Sequence, residues 1–230
     1  MADDRFEVQF RFDGGLATSG KLDGSDHEVV TSAVRRLLAV HAHCFLHRKV
    51  PVAAFAEGRG YHVQHAGSSA TCHVDHWEIV LGVSAIGSSD RPEEVKGAIA
   101  GCVSFLQASL RSVVTGELND AEFFEPASEE SKSDAETDKD VGLEAIRREL
   151  QVLTARVLYE GVARPIGRSA EALSITINGE QVIAIDDNVK TRLFQHNITL
   201  ALKDMRSRGV FERNLSRERI SKPDRPAALN

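Results

Sequence analysis

Apolar and polar residues alternate through Phe6, Val8, Phe10 and Phe12, the two-residue period of a strand with one buried face. Asp13-Gly14-Gly15 is a turn signal, after which Leu16 to Leu22 is expected to return as the second strand of a hairpin. Ser25 and Glu28 stand at capping-box spacing. In that arrangement the serine oxygen accepts from one free helix amide and the glutamate reaches back to another, so a helix is predicted to start there. Val30, Ala33, Val34, Leu37, Leu38, His41, Cys44 and Phe45 recur at steps of three and four as far as Arg48, forming one inward stripe. Pro51 ends it.

Apolar-rich runs at Val52 to Ala56, Tyr61 to His65 and Thr71 to Val83, separated by "EGRG" and "AGSS", predict an antiparallel meander. Asp90 with Glu93 repeats the capping box, Pro92 is tolerated in the first turn and Gly116 closes the far end. A second helix is therefore predicted over Arg91 to Thr115, with Val95, Ile99, Cys102, Val103, Leu106, Leu110 and Val113 as its stripe.

From Glu117 to Asp140 ten acids stand against two lysines, a net −8. Few apolar residues are available there to offset the entropy of ordering, so a disordered linker is expected over 117–142. Beyond it Leu143, Ile146, Leu150, Leu153 and Val157 are spaced three, four, three, four, the form of a coiled-coil seam about two heptads long. Leu173, Ile175 and Ile177 face Ile183 and Ile185 across Asn178-Gly179-Glu180. A three-residue loop brings like faces together, whereas Asn-Gly alone favours a two-residue loop that opposes them; the shared face is the expectation here. The predicted organisation is an α+β domain of antiparallel sheet and two packed helices over 1–116, the acidic linker, a helix-and-hairpin unit over 143–200 and a basic tail over 201–230.

The formal net charge of −6 belongs largely to the linker. Eight basic and four acidic residues between Lys203 and Pro226 give the tail +4, too little to imply a polyanion partner. Aromatic residues are 6% of the chain and lie mostly in the first strand and the helices, which argues against nucleic-acid binding. Lys96, Gln107 and Arg111 interrupt the most apolar helix, so no membrane span is expected. Three widely spaced cysteines and an acidic start without a signal-length apolar run predict a cytoplasmic protein without a disulfide framework.

"FRFDGG", "WEIVLGV" and "ARPIG" together resemble an uncharacterised bacterial protein family of unknown function, over the body from Phe6 to Asp186. These are turn and packing residues. The resemblance implies no chemistry and no site residue.

Eight of the nine histidines fall between His27 and His76. On a helix of about 3.6 residues per turn, His41 and His43 point about 160° apart and His43 and His47 only about 40°. His41 and Cys44 therefore belong to the core stripe, while His43 and His47 form a pair able to ligate a metal given a third ligand. His62, His65, Cys72, His73, Asp75 and His76 are the candidates for that ligand. Strand alternation puts His73, Asp75 and Trp77 on one face and Cys72, Val74, His76 and Glu78 on the other. His43, His47, His73 and Asp75 are thus the metal candidates. With neither a CxxC pair nor HExxH in the chain, structural or solvated histidines are the expected reading and zinc the alternative.

Arg164 and Arg168 flank "PIG" and could contact an anion, although a turn with solvated arginines is preferred. No nucleophile elbow, Walker loop or dinucleotide fingerprint occurs, so no catalytic residue is assigned. By elimination the sequence predicts a non-catalytic interaction module. Its partner would be another copy or another protein, through Leu143, Ile146, Leu150, Leu153 and Val157, with no cofactor. A metal-dependent hydrolase on the histidine-rich sheet and helix, and a polyanion-binding protein, are the competing readings.

Overall fold

The structure, a computed structural model, describes residues 5–51, 57–69, 73–82, 92–115 and 136–195, with backbone alone described at 57, 92 and 136–144. Strand β1 (Arg5–Asp13) buries Phe6, Val8, Phe10 and Phe12 and exposes Arg5 and Arg11, as its alternation predicts. The expected return strand is absent from residues 16–22. Gly15–Ser19 instead forms a 3-10 turn whose Ala17 amide donates to the Ser169 carbonyl at 3.1 Å. The reason is that both edges of β1 are already occupied. One pairs antiparallel with β4 (His73–Leu81) and the other with β5 (Ala172–Ile177).

With β2 (Glu57–Gly58), β3 (Tyr61–Ser69) and β6 (Glu180–Ile185), the strands run β2-β3-β4-β1-β5-β6, antiparallel throughout. Helices α1 (Gly24–His47), α2 (Pro92–Thr115) and α3 (Glu136–Val157) pack over the face lined by the β1 phenylalanines. A π-helical turn (Leu158–Val162) prolongs α3, and α4 covers 187–195. The chain is α+β with an antiparallel sheet, as its patterning predicts. The Val52 to Ala56 run, residues 116–135 and the tail from 196 lie outside the described residues.

Two local corrections follow from backbone chemistry. Asp23, not Ser25, caps α1, its carboxylate accepting from the Ser25 amide at 3.1 Å. The β5–β6 tip is a two-residue loop, Asn178 and Gly179 both at positive φ with Ile177 paired to Glu180. That loop would set the apolar faces in opposition. A bulge repairs this: the register slips between Ile175 and Thr176, so that Ile175 faces Ile183 and Leu173 faces Ile185, all buried.

The largest correction concerns organisation. The segment 143–200 is not a separate unit, because β5 and β6 complete the sheet begun by β1 and α3 packs on α1 and α2. Leu150 is 1% exposed in a cluster with Val40, Cys44, Val50, Phe105 and Ala108, with Ile146 and Leu153 packed on its rim. Val157 joins the main core. For Leu143 only the backbone is described. Of the heptad-like seam, Leu150 and Val157 are thus buried within the chain's own core, and Ile146 and Leu153 are half-buried. Residues 136–142, expected in the linker, are helical backbone.

Both α1 and α2 are long and apolar enough to cross a membrane by length and composition. In this fold their apolar stripes face the sheet and each other. Where α1 crosses the π-helical turn, a Cβ on Gly161 would lie 2.3 Å from the Ala33 Cβ, so only glycine permits the approach.

Candidate metal centre

Alternation along β4 turns His73, Asp75, Trp77, Ile79 and Leu81 toward the helices. The last two are ordinary core; the first two are polar and almost fully buried, at 5% and 1% exposure. His27, in the first turns of α1, approaches them from above, its ring 5.5 Å from that of His73 and edge-on to it. One ligand atom each from His27, His73 and Asp75 lies within 4.8 Å of the others. His27 is exposed, so the cluster has a buried floor and a side open to solvent.

His73 Nδ1 lies 3.4 Å from the Gly20 carbonyl oxygen and Nε2 lies 3.3 Å from Asp75 Oδ2. Donation from Nδ1 to a backbone carbonyl is the arrangement that fixes a histidine tautomer and leaves Nε2 as a ligand. The 3.3 Å contact is a long hydrogen bond in the absence of an ion, charge-assisted ones falling at about 2.7–2.9 Å. The same spacing is compatible with two ligands of one tetrahedral ion, whose bonds of about 2.0–2.1 Å put neighbouring donor atoms about 3.3 Å apart.

The electrostatics hold Asp75 as an anion and favour a proton on His73, which a metal ion at Nε2 would have to displace. Burial by itself would raise the Asp75 carboxyl, but hydrogen bonds from His73 and Ser68 and the charges of His73 and His65 outweigh it and hold the group at about 2. His73 is raised, chiefly by its hydrogen bond to Asp75, against burial and with help from the Asp75 charge and the Gly20 carbonyl. Asp75 is therefore an anion, with its other oxygen taking a hydrogen bond from Ser68 Oγ at 2.7 Å. One step along the same face, the Trp77 indole N–H is buried without an acceptor among the described residues. The Trp77 ring packs 5.0 Å from His65 and under the Arg35 guanidinium at 5.8 Å.

Of the four residues the sequence proposes as ligands, the structure brings together His73 and Asp75. His43 and His47 pair with each other instead, rings 4.5 Å apart on the last turns of α1. His47 Nε2 donates to the Arg59 carbonyl at 2.8 Å, and His43 packs edge-on to Tyr61. Burial, then the charges of His47 and Lys49, lowers the His43 imidazole. The group that joins His73 and Asp75 does not include this pair. His76 projects to the opposite sheet face, where Nδ1 meets Glu7, His62 alternates onto that face as well, and Cys72 lies outside the described residues.

His27 is the member of the cluster that sequence reasoning misses. It falls on the polar side of its helix, and only the path of α1 across the sheet carries it over the start of β4. The other groups singled out are structural. His41 is buried, donating from Nδ1 to the Leu37 carbonyl at 2.7 Å and accepting at Nε2 from Ser109 Oγ at 2.8 Å, with Thr154 Oγ1 at 3.3 Å. Burial pushes the Cys44 and Cys102 thiols up to about 12, the state of inert packing. Arg164 and Arg168 do contact an anion, but one within the chain: the buried Asp26 carboxylate, at 3.0 and 3.5 Å, whose other oxygen accepts from Ser169 Oγ at 3.1 Å.

A groove of about 350 Å³ lies elsewhere on α1, lined by Glu28, Ser32, Arg36, Arg156, Glu160 and Gly161 among others. None of His27, His73 and Asp75 lines it. Compared with family models, with curated proteins and with solved structures, the chain matches none, so no residue role is transferred from another protein.

Proposed function

We propose that this protein is a metal-binding protein, holding one zinc-class ion between α1 and β4 through His27, His73 and the Asp75 carboxylate. The observation that carries the reading is the buried His73–Asp75 pair at co-ligand spacing, with a third imidazole converging on it. Two imidazoles and one carboxylate are borderline donors of the kind zinc takes, whereas calcium and magnesium prefer all-oxygen sets. Three protein ligands leave a fourth position, on the solvent side, for water or an exchangeable group.

Protein purified without a histidine tag, stripped with chelator and titrated with Zn2+, tests this. One ion per chain is expected, with loss of uptake in His73→Ala and Asp75→Ala and full uptake in His43→Ala/His47→Ala. Uptake no greater than in the His73→Ala variant, or uptake lost only in the His43/His47 variant, would overturn the reading.

A further inference from the structure

We propose that Ser68 is a positioning residue of this centre, tying one oxygen of Asp75 so that the other is presented to the ion; this rests on the metal-binding reading above. The two carboxylate oxygens face different neighbours. Oδ2 lies on the His73 side at 3.3 Å, whereas Oδ1 accepts from Ser68 Oγ at 2.7 Å and lies 3.4 Å from His65 Nε2. Ser68 Oγ is itself 3.2 Å from His65 Nε2. With the serine proton committed to the carboxylate, His65 is the donor in that contact, and a relay runs from His65 through Ser68 to Asp75.

A defect in β3 builds this arrangement. His65 pairs with Trp77, but the next pair is Gly67 with His76, so Ala66 is bulged out and Ser68 stands opposite Asp75. Regular pairing onward from His65 would put Gly67 there, with no hydroxyl to donate. Gly67 holds φ at +151°, where side chains are rarely tolerated, and has open space around it. Bulges of this kind re-aim side chains next to functional sites. A carboxylate with one oxygen held by a short hydrogen bond binds metal through the other, and loss of such a supporting partner lowers metal affinity by about 10–100-fold.

The probe is Co2+, whose visible absorption reports coordination number, followed by Zn2+ competition. Wild-type protein is expected to give the intense bands of a four-coordinate site. Ser68→Ala should bind one ion about 10–100-fold more weakly, with weaker bands as the freed carboxylate turns bidentate. Ser68→Thr, which restores the hydroxyl, should recover both. Ser68 is exposed, and unchanged circular dichroism of the metal-free variants would establish that the fold is intact. Unchanged Co2+ affinity and spectrum in Ser68→Ala would overturn the positioning role and leave the metal-binding reading standing; wild-type protein that takes up no Co2+ would overturn both.

Discussion

Acidification should destabilise this protein through one imidazole remote from the His27–His73–Asp75 cluster. His41 is enclosed by α1, α2 and α3, its nitrogens held by Leu37 and Ser109 with Thr154 nearby, and the Phe105 ring lies 6.1 Å away. Burial, partly offset by the bond to the Leu37 carbonyl, lowers its pKa to about 4, against about 6.5 in an unfolded chain. The unfolded state therefore takes up a proton first as pH falls. The contribution of neutral His41 is complete above pH 6.5 and is lost between there and pH 4. A shift of about 2.5 units is worth about 3 kcal/mol in total, of which about 2 kcal/mol is lost by pH 5. Urea unfolding of the chelator-treated protein at pH 7.5 and pH 5, beside His41→Gln, isolates this from the other histidines. The variant should be the less stable at pH 7.5, by about 1–3 kcal/mol for the disrupted bonds, and the gap should close or reverse by about 2 kcal/mol at pH 5. An equal gap at both pH values would refute the argument.

Leu150→Ala should cost about 2–5 kcal/mol of unfolding free energy and leave the sedimentation coefficient unchanged, because Leu150 fills the chain's own core; a seam meeting a second copy would give the opposite pattern. Gly161→Ala should cost about 1–3 kcal/mol by overpacking against Ala33, read as a lowered midpoint in calorimetry, and Ala33→Gly in the same chain should restore most of it.

Sequence pattern discloses what is local. The β1 alternation, the α1 and α2 stripes and the core assignment of His41 all follow from periods of two or 3.6, which neighbours in the chain determine. What it does not disclose is which surfaces meet. Leu150 and Val157 of α3 read as part of a coiled-coil seam because their cover lies far away in sequence, and their spacing is the same whoever supplies that cover. The β5–β6 hairpin depends on a bulge that no residue type announces. At the candidate site, alternation pairs His73 with Asp75, but His27 is brought to them only by the course of α1, and Ser68 reaches Asp75 only through an irregularity in β3.

The position of β1 between β4 and β5 has a consequence for synthesis. Strand β1 precedes both of its partners in the chain yet is an interior strand of the finished sheet, so one of its edges waits for a partner about 160 residues later. Until Ala172–Ile177 emerges, the amides and carbonyls on that edge are an open template for any strand that comes near. At about 5–20 residues per second the interval lasts roughly 8–30 seconds, far longer than the microseconds in which a hairpin forms. Chains stopped before β5 should therefore accumulate with that edge bare, and adding a synthetic β5–β6 peptide in trans should be enough to close it.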